Sequence, residues 1–220
     1  MNKPTNKSTK SVAAGLVFCF ALSLSACTSV HPPSGYLSDY SQLAKGEHFR
    51  QEYVYPEADL TKYTKAKVNP VELKYFSSPY EKLTQEELDR LATKLKASLE
   101  TQLGKKYQIL ANDQTPDPET FVVSPALVFI STPERLINLA TFWLIGFTFS
   151  KGSAAFEAKL LDGQSGKVIA QFAERRKSGG GITDIKSILI GGWFRFIHAE
   201  GAFKRWGKEI REMTLPPSEK

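Results

Sequence analysis

Leu88, Leu91, Leu95, Leu99 and Leu103 recur at intervals of three and four, the spacing that lines one face of a helix. The stretch opens on Thr84-Gln85-Glu86-Glu87. In such a capping box the Thr84 hydroxyl accepts from the amide of Glu87, and the Glu87 carboxylate reaches back to the amide of Thr84. Leu83 and Leu88 are spaced for a hydrophobic staple across this cap, and Gly104 supplies a stop signal. The pattern predicts a helix from Thr84 to Gly104 that lays one leucine stripe on a core.

Shorter stretches have strand character: Val68 to Phe76, Tyr107 to Ala111, and Phe121 to Ile130, all rich in β-branched or aromatic residues. Pro125 pushes the last of these toward a sheet edge or a bulge. Ala154 to Leu161 and Lys167 to Glu174, joined by Asp162-Gly163-Gln164-Ser165-Gly166, read as a β-hairpin. Pairing Leu161 with Lys167 sets Phe156 opposite Phe172, Ala158 opposite Ala170 and Leu160 opposite Val168, all on one face. A slip of one residue would turn that face outward, so the hairpin should pack on one side.

A second helical pattern starts near Asp184 and runs through Ile185, Leu189, Trp193, Phe196, Ile197, Phe203, Trp206, Ile210 and Met213, with its cations largely off the stripe. Gly191-Gly192 is placed to interrupt it. The element order predicts a single α+β domain, a mostly antiparallel sheet with a hairpin in its C-terminal half and amphipathic helices packed on one face.

Two apolar stretches stand outside this plan. Leu136 to Phe149, LINLATFWLIGFTF, is fourteen residues long, too short to span a bilayer and too apolar for a free loop. Either it lies in the domain's own core, or Leu136, Phe142, Trp143, Phe147 and Phe149 form a contact surface for lipid or a partner protein. Val12 to Ser23 follows Lys3, Lys7 and Lys10 and has the length of a secretory signal's apolar block.

That second block ends in Leu24-Ser25-Ala26-Cys27, which resembles the lipobox of bacterial lipoproteins. The resemblance implies cleavage before Cys27 and acyl chains on that residue, each buried methylene adding about 0.8 kcal/mol to membrane attachment. Thr28 stands where an aspartate resembles an inner-membrane retention signal, so the outer membrane, periplasmic face, is the implied address, with the inner membrane's periplasmic face as the alternative. The predicted division is a signal peptide over 1–26, a lipidated tether over 27–34, a periplasmic domain over 35–214 and a tail over 215–220. Downstream, Ser34-Gly35-Tyr36-Leu37-Ser38-Asp39-Tyr40-Ser41 and Val68-Asn69-Pro70-Val71 resemble a family of bacterial lipoproteins of unknown function, a likeness that runs from Gly35 to about Arg176. It brings no catalytic residues with it.

Composition narrows the chemistry. Cys19 leaves with the signal and lipidation would consume Cys27, so no thiol remains for a disulfide, metal or nucleophile. Of the formal charge of +6, Lys3, Lys7 and Lys10 supply +3, leaving +3 for the mature chain. That bias is too mild, in an exported protein, to suggest nucleic acid; an anionic lipid surface or cell-wall polymer fits it. Gly163 to Lys167 resembles the end of a phosphate loop, but Leu161 and Val168 stand at positions that motif reserves for Gly and for Ser or Thr. No Gly-x-Ser-x-Gly elbow occurs, and His31, His48 and His198 are not spaced as ligand pairs. Glu157 and Glu174 point to opposite sides of the hairpin and read as solvated surface. Glu174-Arg175-Arg176-Lys177 reads as a charged strand end. Tyr36, Asp39 and Tyr40 form the densest polar-aromatic cluster, either a binding cluster for sugar or peptide, or a docking segment in which Asp39 caps a turn.

The sequence therefore predicts an outer-membrane-anchored periplasmic lipoprotein that binds rather than catalyses. It carries no cofactor and no metal, and meets the membrane through its anchor and an envelope protein or cell-wall partner. The alternatives are an accessory subunit of an envelope transport or assembly complex, and a hydrolase or transferase without a recognisable motif.

Overall fold

The leucine stripe forms α1, Gln85–Leu103, in a computed structural model that describes residues 32–78, 83–131, 153–177 and 197–216. Its cap has both bonds of the box, Glu87 N to Thr84 Oγ1 at 3.2 Å and Thr84 N to Glu87 Oε2 at 2.9 Å. The Gly104 amide closes the other end on the carbonyl of Glu100. Leu91, Leu95, Leu99 and Leu103 are buried, each burial contributing about 1.5–3 kcal/mol, while Leu88 is half-buried.

The strands are β1 (Gln51–Val54), β2 (Lys65–Val68), β3 (Gln108–Ile109), β4 (Thr120–Ser131), β5 (Ser153–Asp162) and β6 (Val168–Lys177). They form one sheet in the order β1-β6-β5-β4-β2-β3. The pairs β1·β6, β6·β5 and β5·β4 are antiparallel, whereas β4·β2 and β2·β3 are parallel. Both helices, α1 and the C-terminal α2 (Ile197–Met213), belong to the core on one side of the sheet, which gives the predicted α+β arrangement. Phe49, Phe172, Phe156 and Trp206 make a continuous aromatic column there, with Phe49 stacked on Phe172 at 4.1 Å and Phe156 on Trp206 at 4.6 Å. The described part of the second helical pattern starts at Ile197; Gly191-Gly192 and the residues before it lie outside the described residues.

Three expectations change in detail. The predicted strand over Val68 to Phe76 instead begins at Lys65 and ends at Val68. Its partner β4 is a central strand, not an edge. Pro125 is accommodated because its nitrogen faces the place where the neighbouring chain arches away at Asn69-Pro70-Val71. Asn69 N still reaches Val123 O at 2.9 Å, and pairing resumes where Leu127 N meets Glu72 O at 3.1 Å.

In the hairpin, Phe156 lies opposite Glu174, and Ala158 opposite Phe172, two residues away from the expected register. Leu161 pairs with Val168 because the turn is one residue longer, and a bulge between Leu160 and Leu161 adds one more. Two single-residue offsets sum to the strand period, so Phe156, Ala158, Leu160, Ala170 and Phe172 still share the helix side. The segment resembling a phosphate loop is this turn. The Gly163 amide donates to Thr120 O at 2.8 Å, and a side chain on it would lie 2.5 Å from that oxygen.

Gly207 sets the spacing of the helices. A methyl group there would meet Gln102 Cβ at 2.8 Å and the Leu99 backbone at 3.3 Å, whereas Gly201, one face away, opens on free space. Gly207→Ala should therefore cost about 1–3 kcal/mol by forcing α1 and α2 apart. Gly201→Ala should stabilise by about 0.5–1 kcal/mol through helix propensity. Urea unfolding of the two variants beside the parent protein measures both effects; equal effects would contradict the close contact.

Candidate functional site

Alternation along β4, β5 and β6 sends Phe156, Ala158 and Leu160 to the helices and Ala155, Glu157 and Lys159 to the opposite, open face of the sheet. Glu157 pairs across the strands with Ala126 on one side and Ala173 on the other. These small neighbours leave room for covering chain, and residues 34–41 fill it. Glu157 is only 2% exposed. Its carboxylate accepts from Ser34 N at 3.3 Å, Ser34 Oγ at 2.8 Å and Tyr40 Oη at 2.7 Å.

Tyr40 is the hub of this strap. Its hydroxyl donates to Glu157 while accepting from Gly35 N at 3.0 Å and Leu37 N at 3.1 Å. Burial pushes the Tyr40 hydroxyl above its ordinary pKa, and the bond to Glu157 adds to that rise. Tyr36 donates to Ser124 O at 2.9 Å and Ser124 Oγ at 3.0 Å, with Lys159 Nζ 4.5 Å from its ring centre. Burial likewise raises the Tyr36 pKa. Leu37 is buried. Asp39 turns outward, its Oδ1 accepting from Ser41 N at 2.8 Å and Ser41 Oγ at 2.7 Å, bonds that hold its carboxyl below the ordinary range. Its carbonyl takes Gln171 Nε2 at 3.0 Å. The strap is thus bonded to β4, β5 and β6, and the predicted cluster Tyr36, Asp39 and Tyr40 is divided: both tyrosines hold the sheet, and the Asp39 carboxylate closes a turn at the surface.

Glu157 and Glu174 are buried, not solvated as the sequence predicts. Glu174, also 2% exposed, faces the helix side at the far end of the aromatic column. A junction of charges forms there because Phe49, buried beneath Phe172, draws the 46–50 loop inward. The Glu52 carboxylate braces that loop by accepting from the amides of Glu47, His48 and Phe49 at 2.9, 3.2 and 2.8 Å. Glu174 accepts the next amide, Arg50 N, at 2.7 Å. Its other oxygen lies 3.4 Å from Arg50 Nε and 3.7 Å from Arg176 Nε. Burial raises the Glu174 pKa, a rise opposed by the Arg50 amide and the two guanidinium charges.

Glu209 of α2 completes the junction. It accepts Arg205 Nε at 2.6 Å on Oε1, has Arg176 Nη2 3.7 Å away, and presents Oε2 3.5 Å from His48 Nδ1. Glu157 and Glu174 occupy opposite faces of the sheet, so they share no cleft in which one could act as acid and the other as base. A groove of about 600 Å³ lies between the helices, lined by Lys94, Lys105, Lys204, Glu200 and Phe203. Lys94 and Glu200 form an ion pair across it.

Cys27, Leu136, Phe142, Trp143, Phe147 and Phe149 lie outside the described residues. The ends of the chain that flank the apolar segment are described. Ser131 ends β4 and pairs with Ser153, which starts β5 and pairs in turn with Lys177, the end of β6. Their contact is close, with Ser131 Oγ 3.0 Å from Ser153 Oγ. Segments 132–152 and 178–196 therefore both leave from one end of three neighbouring strands. The Glu157 clamp and the convergence of His48 on Glu209 escape sequence reasoning. The first had a signal in the alanines at 126, 155 and 173, small residues at successive positions of a face that must be covered. The second joins residues too far apart in the chain to leave one.

Tyr40→Phe removes the third donor from a buried carboxylate and leaves two strap amides without their acceptor. The expected loss is about 2 kcal/mol of stability, with faster amide exchange at Gly35 and Leu37. Asp39→Ala, at an exposed turn, should cost less than about 1 kcal/mol. Hydrogen exchange and thermal unfolding of both variants check the contrast, and equal losses would contradict a clamp at Tyr40.

Among proteins with curated descriptions, none matches this chain. Among solved structures, it is similar to a PelC dodecamer from Paraburkholderia phytofirmans, at 9% identity and a TM-score of 0.40, over 73% of this chain and 95% of that one. It is also similar to a Xanthomonas campestris protein of the DUF330 family, at 14% identity and a TM-score of 0.40, over 74% and 89% of the two chains. A DUF4136 family protein from Bacteroides thetaiotaomicron overlaps at 13% identity and a TM-score of 0.36, over 74% and 95%. Overlaps this loose carry no argument about activity. A family model matches residues 32–210, reaching beyond the stretch from Gly35 to Arg176 at both ends, and so the chain belongs to the family described as protein of unknown function, DUF3313.

Proposed function

We propose that this chain is an envelope lipoprotein, anchored through Cys27 to the periplasmic face of the outer membrane, whose domain binds or scaffolds a partner and performs no catalysis. The observation that carries this reading is the common root of segments 132–152 and 178–196 at Ser131, Ser153 and Lys177. The first of them holds the apolar stretch Leu136 to Phe149. An apolar stretch whose flanking strands meet at one end of a sheet suits docking to a greasy partner surface better than chemistry. The buried carboxylates point the same way, since Glu157, Glu174 and Glu209 are each engaged in internal bonds.

The strap supports a short leash. Ser34 is already bound to Glu157, and it stands seven residues after Cys27. At full extension that tether reaches about 25 Å, which would keep the domain beside the bilayer and raise its effective concentration for partners in the same membrane. Among the described residues no helix is long and apolar enough to cross a membrane. An accessory subunit of an envelope transport or assembly complex is the second reading, favoured by the same apolar stretch, with Phe142, Trp143 and Phe147 as its contact.

Cys27→Ser should move the protein from the membrane fraction to the soluble fraction; retention after signal cleavage would sink the anchor. Trp143→Asp should leave a folded domain with an unchanged unfolding midpoint and lower its recovery in crosslinked envelope complexes. Loss of folding would place that residue in the core instead, and with it the stretch.

A further inference from the structure

Of the buried polar atoms in the charged junction, Glu174 Oε1 and Arg176 Nε lack a hydrogen bond but face each other at 3.7 Å, whereas His48 has no hydrogen bond at either ring nitrogen. His48 is nine-tenths buried; its Nε2 has no hydrogen-bond partner, with Glu47 Oε2 4.0 Å away, and its Nδ1 stands 3.5 Å from Glu209 Oε2 without forming a hydrogen bond. Buried polar atoms are nearly always paired, so an Nδ1 that faces a carboxylate oxygen without bonding to it points to a partner that would sit between them. Glu212 lies three residues beyond Glu209 on α2, the spacing that puts both on one side of the helix. One ligating atom each from His48, Glu209 and Glu212 falls within 4.8 Å of the other two.

The separation itself is informative. An Nδ1 to Oε2 distance of 3.5 Å is long for a hydrogen bond. Two ligands on a tetrahedral ion with bonds of about 2.0–2.1 Å stand about 3.4 Å apart, so the pair already has the length of one tetrahedron edge. The remaining carboxylate oxygens are occupied by cations that fix them in place. Arg205 Nε holds Glu209 Oε1 at 2.6 Å, and Lys208 Nζ lies 3.2 Å from Glu212 Oε1. Outer bonds of this kind orient a carboxylate and leave its second oxygen for the ion.

We propose that His48, Glu209 and Glu212 form a three-ligand site for a divalent transition ion of the zinc class, with a fourth position open to water or to a ligand from a partner. One imidazole and two carboxylates suit such an ion and suit magnesium poorly, because magnesium takes oxygen ligands in octahedral geometry. Arg176, Arg205 and Lys208 oppose a second positive charge, which makes the site weaker than a closed four-ligand centre. Sequence spacing predicts no metal site because it looks for histidines near one another; here the fold brings a loop histidine to two carboxylates on the last helix. The bound ion would pin the 46–50 loop to α2.

Equilibrium dialysis of the untagged full chain in detergent against Zn²⁺ alone tests the site. The expected result is one ion per chain, undisturbed by excess Mg²⁺, with at least about tenfold weaker binding in His48→Gln and in Glu212→Gln. Glu212 is partly exposed, so its variant keeps the test alive if His48→Gln fails to fold. Cobalt added to the parent protein should give visible absorption that Glu212→Gln lacks. No saturable binding below about 100 μM, or binding that survives Glu212→Gln and disappears with His31→Gln or His198→Gln, would overturn the proposal.

Discussion

The sheet has two faces, and among the described residues helices cover only one of them. Its central strands are nevertheless buried on both sides, with Ala126, Val128 and Ala155 on the open face as inaccessible as Phe156 on the other. That requirement makes the bond between Glu157 and the strap the controlling interaction of the fold. An extended chain offers few apolar side chains per residue, so hydrophobic burial alone would hold eight residues poorly. A carboxylate in a low-dielectric setting changes the balance, because removing it from its donors would leave a charge buried without compensation. Tyr36 and Tyr75 complete the cover with an edge-on contact at 5.5 Å.

The helix side solves its packing differently. There the leucines of α1 and the aromatic column fill the space, and glycine at 207 lets the two helices close on each other. The far ends are then tied by polar bonds. Tyr107, after α1, donates to Thr214 Oγ1, after α2, at 2.9 Å. At the opposite margin the charged junction of Glu174 and Glu209 takes over where apolar side chains run out. Buried ion pairs of this sort add little net stability, but they penalise any arrangement that separates the partners. They thereby fix the angle at which the 46–50 loop meets the last helix.

Much of this is legible in the chain alone. α1 was legible to the residue because cap, stripe and stop agree, each acting over only a few positions. The hairpin was legible as to face and wrong as to register, since face follows from alternation whereas register depends on turn length and on the bulge between Leu160 and Leu161, where Ile169 is the extra residue on β6 and no local pattern announces it. Pro125 was legible only in part: of the edge or bulge it predicts, β4 is no edge but has a register shift between Leu127 and Phe129. The proline's missing donor is a constraint on whichever strand lies beside it, and the compensating arch at Asn69 to Val71 comes from another part of the chain. Burial of Glu157 and Glu174 was illegible because a glutamate's fate depends on donors more than a hundred residues away. The tyrosines at 36 and 40 stood out as a cluster; what they grip did not.

The offset hairpin has a consequence for how this chain can vary. Turn length and bulge act as a pair of compensating errors, so a deletion in the 163–166 turn that leaves the bulge intact would rotate every later residue of β6 through half a turn. Phe172 would leave the core and Arg175 would enter it. Length changes at that loop are therefore permitted only in steps of two, or when the neighbouring irregularity disappears with them, a parity rule written into the geometry of one ribbon.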